Sequence, residues 1–181
     1  MVEGQVGKMC FFRLLGDEDL ATRIKRTVEE CGVKTGVFFV IGTLKNAVLG
    51  YYEEGEYKYI RLDIPLEIAS CTGSISLDEK GEVMVHAHIV VSDEKGACFG
   101  GHLMAGSRVG ATAELVIIEG LGMRLQRVFD ERTKLKLWKL SQSLCEVYSM
   151  GISIVLFKFS NFHVSKFMVE VQRCNVIFAH F

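Results

Sequence analysis

Apolar side chains recur with clear helical spacing at one place in the chain. Leu20, Ile24, Val28 and Cys31 fall at i, i+4, i+8 and i+11, which lines them up as one stripe on a helix surface. Asp17 stands where a cap is wanted, Glu18 and Asp19 suit the positive end of the helix dipole, and Gly32 follows the last turn. The stripe predicts a helix packed on a core. Most of the following hundred residues read instead as strands: Val37–Thr43, Ala47–Tyr52, Tyr57–Leu62, Leu66–Ser76, Val83–Val91, Cys98–Met104 and Ala111–Ile118. Two of the breaks between them are the same tetrapeptide, Asp78-Glu79-Lys80-Gly81 and Asp93-Glu94-Lys95-Gly96, 15 residues apart. Each fits a three-residue hairpin loop, a type I turn closed by Gly in the left-handed region. Two such hairpins in succession make an antiparallel meander. The expected class is α+β: a mostly antiparallel sheet of about seven strands with one main amphipathic helix.

The texture changes near Lys139. Residues 139–181 hold six charged side chains in 43, half of the twelve Phe and a single Gly, without a sustained period of 3.6 or 2. Gly151–Phe157 reads as a strand with no sheet to join. The chain is therefore divided into a domain over residues 8–138 and a C-terminal extension over 139–181.

Composition narrows the classes further. With 49% hydrophobic and 24% charged residues, the sequence is neither disordered nor of low complexity. A formal net charge of −1 argues against a surface that grips nucleic acid or anionic lipid as a whole, though not against a local patch. No cleavable leader is evident, and no apolar stretch approaches the ~20 residues that span a bilayer. A cytoplasmic protein with no membrane partner is expected. The six cysteines (Cys10, Cys31, Cys71, Cys98, Cys145, Cys174) form no CxxC pair and read as buried, reduced thiols.

Three of the five histidines fall in the meander. His86 and His88 project from one face of their strand, about 7 Å apart along it. With Glu94-Lys95-Gly96 as the loop, Asp93 pairs with Ala97, and counting outwards sets His88 opposite His102 and His86 opposite Met104. The first hairpin, counted likewise, sets Thr72 opposite His88 and Ser74 opposite His86. Directly opposed residues have Cβ atoms about 5 Å apart, so three imidazoles converge. The strand is apolar on both sides, which predicts cover on both and little water around the rings. Three neutral imidazoles suit zinc or a similar transition metal at about 2.0–2.1 Å per nitrogen and leave a fourth position open. The alternative is three core histidines bonded to hydroxyls such as Thr72 and Ser74. His163 and His180 carry no assignment.

The ordered motifs around this site resemble those of the plant and prokaryote conserved (PPC) domain. They are His86-Ala87-His88, then Gly100-Gly101-His102-Leu103 with Gly106, then Thr112-Ala113-Glu114-Leu115. Arg13-Leu14 with Glu18-Asp19-Leu20, Glu67-Ile68 with Ser70 and Gly73, and Phe129-Asp130-Glu131 through Leu137 as a last strand agree with it. The likeness covers about residues 10–138. It is similar to the prokaryotic stand-alone type, related to the domain of plant AT-hook nuclear-localised proteins. Asp17 stands where the pattern usually has Gly, a difference expected to alter only the helix cap. The resemblance implies a homotrimer, and a metal site at the positions of His86, His88 and His102. The Arg-Gly-Arg-Pro of an AT-hook is missing, and the one proline is Pro65.

Three functions compete. The first is a trimeric zinc-binding module for assembly or interaction. The second is DNA binding through a basic face, where Arg124, Arg127, Arg132, Lys134, Lys136 and Lys139 outnumber Asp130 and Glu131 and Trp138 offers a stacking surface. Against it, Lys134, Lys136 and Trp138 alternate with Leu135 and Leu137, as on a solvated edge strand. The third is a metal-dependent hydrolase-type enzyme, for which Glu114 and Glu67 are the available carboxylates. Both read more simply as structural. No nucleophile elbow, Walker loop or dinucleotide fingerprint is present, so no catalytic residue is assigned.

Overall fold

A computed structural model describes residues 2–139 of the 181. The extension after Lys139, including Gly151–Phe157, His163, His180, Cys145 and Cys174, lies outside the described residues. The elements are β1 (Gln5–Leu15), α1 (Leu20–Glu30), β2 (Gly36–Glu53), β3 (Glu56–Leu62), β4 (Leu66–Leu77), β5 (Val83–Ser92), β6 (Cys98–Leu103), β7 (Arg108–Leu121), β8 (Arg127–Asp130) and β9 (Leu135–Trp138). Seven strands form one antiparallel sheet in the order β1-β7-β2-β4-β5-β6, with β3 on β2, and β8 and β9 form a separate two-stranded ribbon. Among the described residues the expected α+β class, sheet and one main helix are what is found.

β2 organises the sheet. Its first half pairs with β4 and β7, a bulge at Gly42 bends it, and its second half pairs with β3 and returns to β6 through Gly50–His102. The sequence pattern breaks this strand in two at Leu44–Asn46, where its pairing with β7 also shifts register, and the bulge itself lies just before, at Gly42 (φ 136°). A Cβ there would lie 2.5 Å from the Thr112 carbonyl oxygen, so only Gly lets β2 and β7 approach this closely. The return to β6 closes β2, β4, β5 and β6 into a small barrel, and it fixes where His102 sits.

Helix α1 buries Leu20, Ile24 and Val28 against the inner face of the sheet, beside Leu14, Phe38, Ile75, Ile89 and Leu115. Its cap differs from expectation. The Asp19 side chain, not that of Asp17, accepts from Thr22 N–H at 2.9 Å, and its second oxygen accepts from Gly106 N–H at 2.6 Å. Asp17 lies two residues earlier with φ 70°, a left-handed conformation that explains why Gly is the usual residue there. Its carboxylate pairs with Lys45, which holds it below the usual carboxylate range. Asp19→Ala is expected to lower stability by about 1–2 kcal/mol in urea unfolding, the ordinary cost of an N-cap. An unchanged midpoint would assign the cap elsewhere.

Both Asp-Glu-Lys-Gly turns have the expected form. Gly81 and Gly96 take φ 84° and 77°. Asp78 Oδ1 accepts from Lys80 and Glu82 N–H, and Asp93 Oδ1 accepts from Lys95 and Ala97 N–H. Each aspartate locks its loop, and the loops lock the register. Among the described residues, no helix is long and apolar enough to cross a membrane.

Candidate metal centre

The locked hairpins deliver the predicted pairs: Thr72 opposite His88, Ser74 opposite His86, and His88 opposite His102. One cross-strand row runs over six strands on the outer face of the sheet, Phe11–Val116–Phe39–Thr72–His88–His102. His86 lies in the neighbouring row, beyond Val37 and Ser74. The expected His86–Met104 pair does not form. β6 ends at Leu103, and the Met104 N–H donates to Val48 O because the chain has turned to follow β2.

The ring centroids stand 5.0 Å apart for His86–His102, 5.2 Å for His86–His88 and 5.5 Å for His88–His102. One ligand nitrogen from each lies within 4.8 Å of the other two. Cover is less complete than the apolar pattern suggests. His86 and His102 are half-buried, while His88 and Val90 are exposed on the outer face of β5. Burial pushes the His86 imidazole down to about 4, with the Arg127 charge and the other two rings acting in the same direction. Burial also lowers His102, followed by His88 and Arg127. Both rings are therefore neutral at pH 7, with a lone pair to give. The buried His102 Nδ1 has no hydrogen-bond partner among the described residues. An orphaned imidazole nitrogen beside two others fits a metal ion better than it fits three satisfied core histidines.

The walls were not legible in the sequence. Tyr57 packs its ring 5.2 Å from His102 and edge-on to Tyr52 at 5.3 Å. The Tyr52 hydroxyl donates to the Thr133 carbonyl in the turn between β8 and β9. Gly50, opposite His102, makes room for these groups, since a Cβ there would meet Tyr57 Cδ1 at 2.9 Å and Met104 Sδ at 3.0 Å. Counting across the two-residue loop Glu54-Gly55 could have set Tyr52 opposite Tyr57. Nothing local could have placed Arg127.

Arg127 is 8% exposed and turns inward over β4. Its Nε donates to Ser76 Oγ (3.2 Å), Nη2 to Ser74 Oγ (3.3 Å) and Nη1 to the Lys136 carbonyl (2.9 Å), and its guanidinium lies 5.4 Å from the Trp138 ring centre. Arg127 is thereby withdrawn from the six-residue basic face. Lys134 pairs with Glu131 at 2.8 Å and Lys136 with Asp78 at 3.9 Å, and the expected last strand is the β8–β9 hairpin. Neither carboxylate considered for catalysis joins the imidazoles. Glu114 lines an open groove with Phe11, Arg13 and Phe39, and Glu67 lies opposite Thr43 and Ser92. The four described cysteines are free. Cys71 is buried, which pushes its thiol up to about 12, whereas Cys98 is exposed, contrary to expectation.

The family model for the Plants and Prokaryotes Conserved (PCC) domain matches residues 1–120. Among solved structures, a metal-containing protein from Archaeoglobus fulgidus is 33% identical with a TM-score of 0.70, over 77% of this chain and 99% of that one. A plant- and prokaryote-conserved (PPC) protein from Pyrococcus horikoshii is 34% identical with a TM-score of 0.70, over 78% of this chain and 97% of that one. Among curated proteins, the Bifunctional protein GlmU of Synechococcus sp. (strain JA-3-3Ab) is 34% identical over 122 residues, 67% of this chain and 18% of that protein. The chain thus spans less than a fifth of the length of the curated relatives it matches.

Proposed function

The chain belongs to the Plants and Prokaryotes Conserved domain family, and from that premise we propose that it is a metal-binding protein whose ion is zinc, held by His86, His88 and His102 in a homotrimer that serves as an assembly or interaction module. One observation carries the reading: three imidazole nitrogens within 4.8 Å of one another on two strands whose register the Asp93–Gly96 turn locks. An all-imidazole set with no thiolate suits a borderline ion, and zinc accepts three such ligands with a fourth position open. The Archaeoglobus relative is itself a metal-containing protein.

The trimer has support on the same face. Phe11 (71% exposed), Phe39 (44%) and Ile41 (57%) present an apolar surface around the groove of about 410 Å³. Exposed apolar side chains in a contiguous row favour a covering partner, and here the partner is a second copy of the chain. Because Phe11, Phe39 and His88 share one cross-strand row, covering the patch brings that copy towards the open side of the centre. Among the described residues no carboxylate joins the three imidazoles to serve as a general base, so binding is favoured over hydrolysis.

Metal content per chain by mass spectrometry, with molar mass by light scattering, tests this. Untagged protein is expected to carry close to one zinc per chain at three times the chain mass. The double variant His86→Ala/His102→Ala is expected to lose the zinc and keep that mass. A parent that takes up no metal when zinc is offered and the excess removed would overturn the reading.

A further inference from the structure

The charge at this centre does not close. Three neutral imidazoles around a divalent ion leave its full charge in place, and Arg127 adds a second cation over the same face, hydrogen-bonded to the Ser74 that stands opposite His86. Arg127 is more than nine-tenths buried, yet its partners are two hydroxyls, a carbonyl and an indole, and no carboxylate comes within 4 Å of it among the described residues. The nearby Asp78 is committed elsewhere, to Lys136 and to the backbone of its own turn. Guanidinium stays charged in proteins, and a buried charge is ordinarily paired. Three of its five N–H groups are used, which leaves one each on Nη1 and Nη2 for a further acceptor. Tyr57 beside His102 and Trp138 beside the guanidinium add apolar surface, where an ionic contact is screened less than in open water.

We infer that the centre binds a small oxyanion, a carboxylate or phosphate group, with one oxygen at the open metal position and another on the Arg127 guanidinium. The inference rests on the zinc reading and specifies what occupies the position that the imidazoles leave free. A planar fork of donors beside a metal is the arrangement that recognises two oxygens of one group. Arg127 is then the ligand's counter-charge as well as the pin that holds the β8–β9 ribbon to the sheet through the Ser74 and Ser76 hydroxyls.

Cobalt(II) loaded in place of zinc gives a visible spectrum sensitive to the ion's ligands, and it reads the centre without an activity assay. The full-length cobalt protein is titrated with acetate, with inorganic phosphate and with neutral acetamide. A saturable spectral change is expected with at least one anion and none with acetamide, and the tighter anion identifies carboxylate or phosphate as the source. Arg127→Met, checked for equal cobalt content, is expected to raise the half-saturation concentration at least about tenfold, with Arg127→Lys in between because it keeps the charge without the fork. Equal half-saturation in the parent and both variants, or no response to either anion in cobalt-loaded parent, overturns the inference and leaves Arg127 as a pin alone. Should Arg127→Met fail to hold cobalt, the comparison with Arg127→Lys decides by the same criterion. A parent that binds no cobalt overturns the metal reading itself, and this inference with it.

Discussion

Zinc offered to the proposed centre is expected to stay bound as the pH falls through 6.5, because His86 takes a proton only near pH 4. A metal competes with protons for imidazole nitrogens. A site of three ordinary histidines loses up to about a thousandfold in affinity per pH unit below 6.5, one factor of ten for each proton taken up. Here burial holds His86 down to about 4 and His102 below its ordinary value, so two of the three nitrogens are already without protons. Just below pH 6.5 the loss should therefore be shallower than that limit. Stability has the matching sign. In the unfolded chain His86 takes a proton near 6.5, but in the fold only near 4, so the metal-free protein loses stability as pH falls across that window. Zinc competition with a chelator between pH 4 and 8, with circular dichroism reporting the fold, separates release from unfolding. A thousandfold drop per unit beginning at 6.5 would show that the rings are not desolvated as the fold describes.

What could be read from the sequence was whatever local chemistry fixes. The repeated Asp-Glu-Lys-Gly turns set the hairpin register by their own hydrogen bonds, so His88 could be counted onto His102 without knowing the rest of the sheet. The helix was legible because its stripe is wholly apolar and its opposite side charged. Strand β1 was not, because its outward residues Met9 and Phe11 are as apolar as its inward residues Phe12 and Leu14, and the period of two disappears. That same two-sidedness is the mark of the surface assigned to a second copy. Arg127 was counted among solvated basic residues because its burial is decided by Ser76 and Ser74, 51 and 53 positions away. Contacts of that range leave no trace in a window of neighbouring residues.

The same hairpins make the site depend on the core beneath it, and the largest stability effect is expected there. Phe38 is fully buried and lies directly opposite Gly73 across the β2–β4 pair, its ring occupying the space a Gly73 side chain would need. A Cβ at Gly73 would lie 2.2 Å from Phe38 Cζ and 2.6 Å from the His86 carbonyl oxygen. Phe38→Ala is therefore expected to cost about 3–5 kcal/mol in urea unfolding, and Gly73→Ala about 1–3 kcal/mol or more through overpacking. Combined, they should cost less than their sum, because the new methyl enters the space the ring has left. The relief is partial, since the His86 carbonyl does not move with the ring. Strict additivity would mean that the backbone contact alone bars a side chain at 73. Either way Gly73 pairs with Ala87, between His86 and His88. A displacement of that strand shifts both imidazoles together, and zinc content should fall in Gly73→Ala even where the protein remains folded.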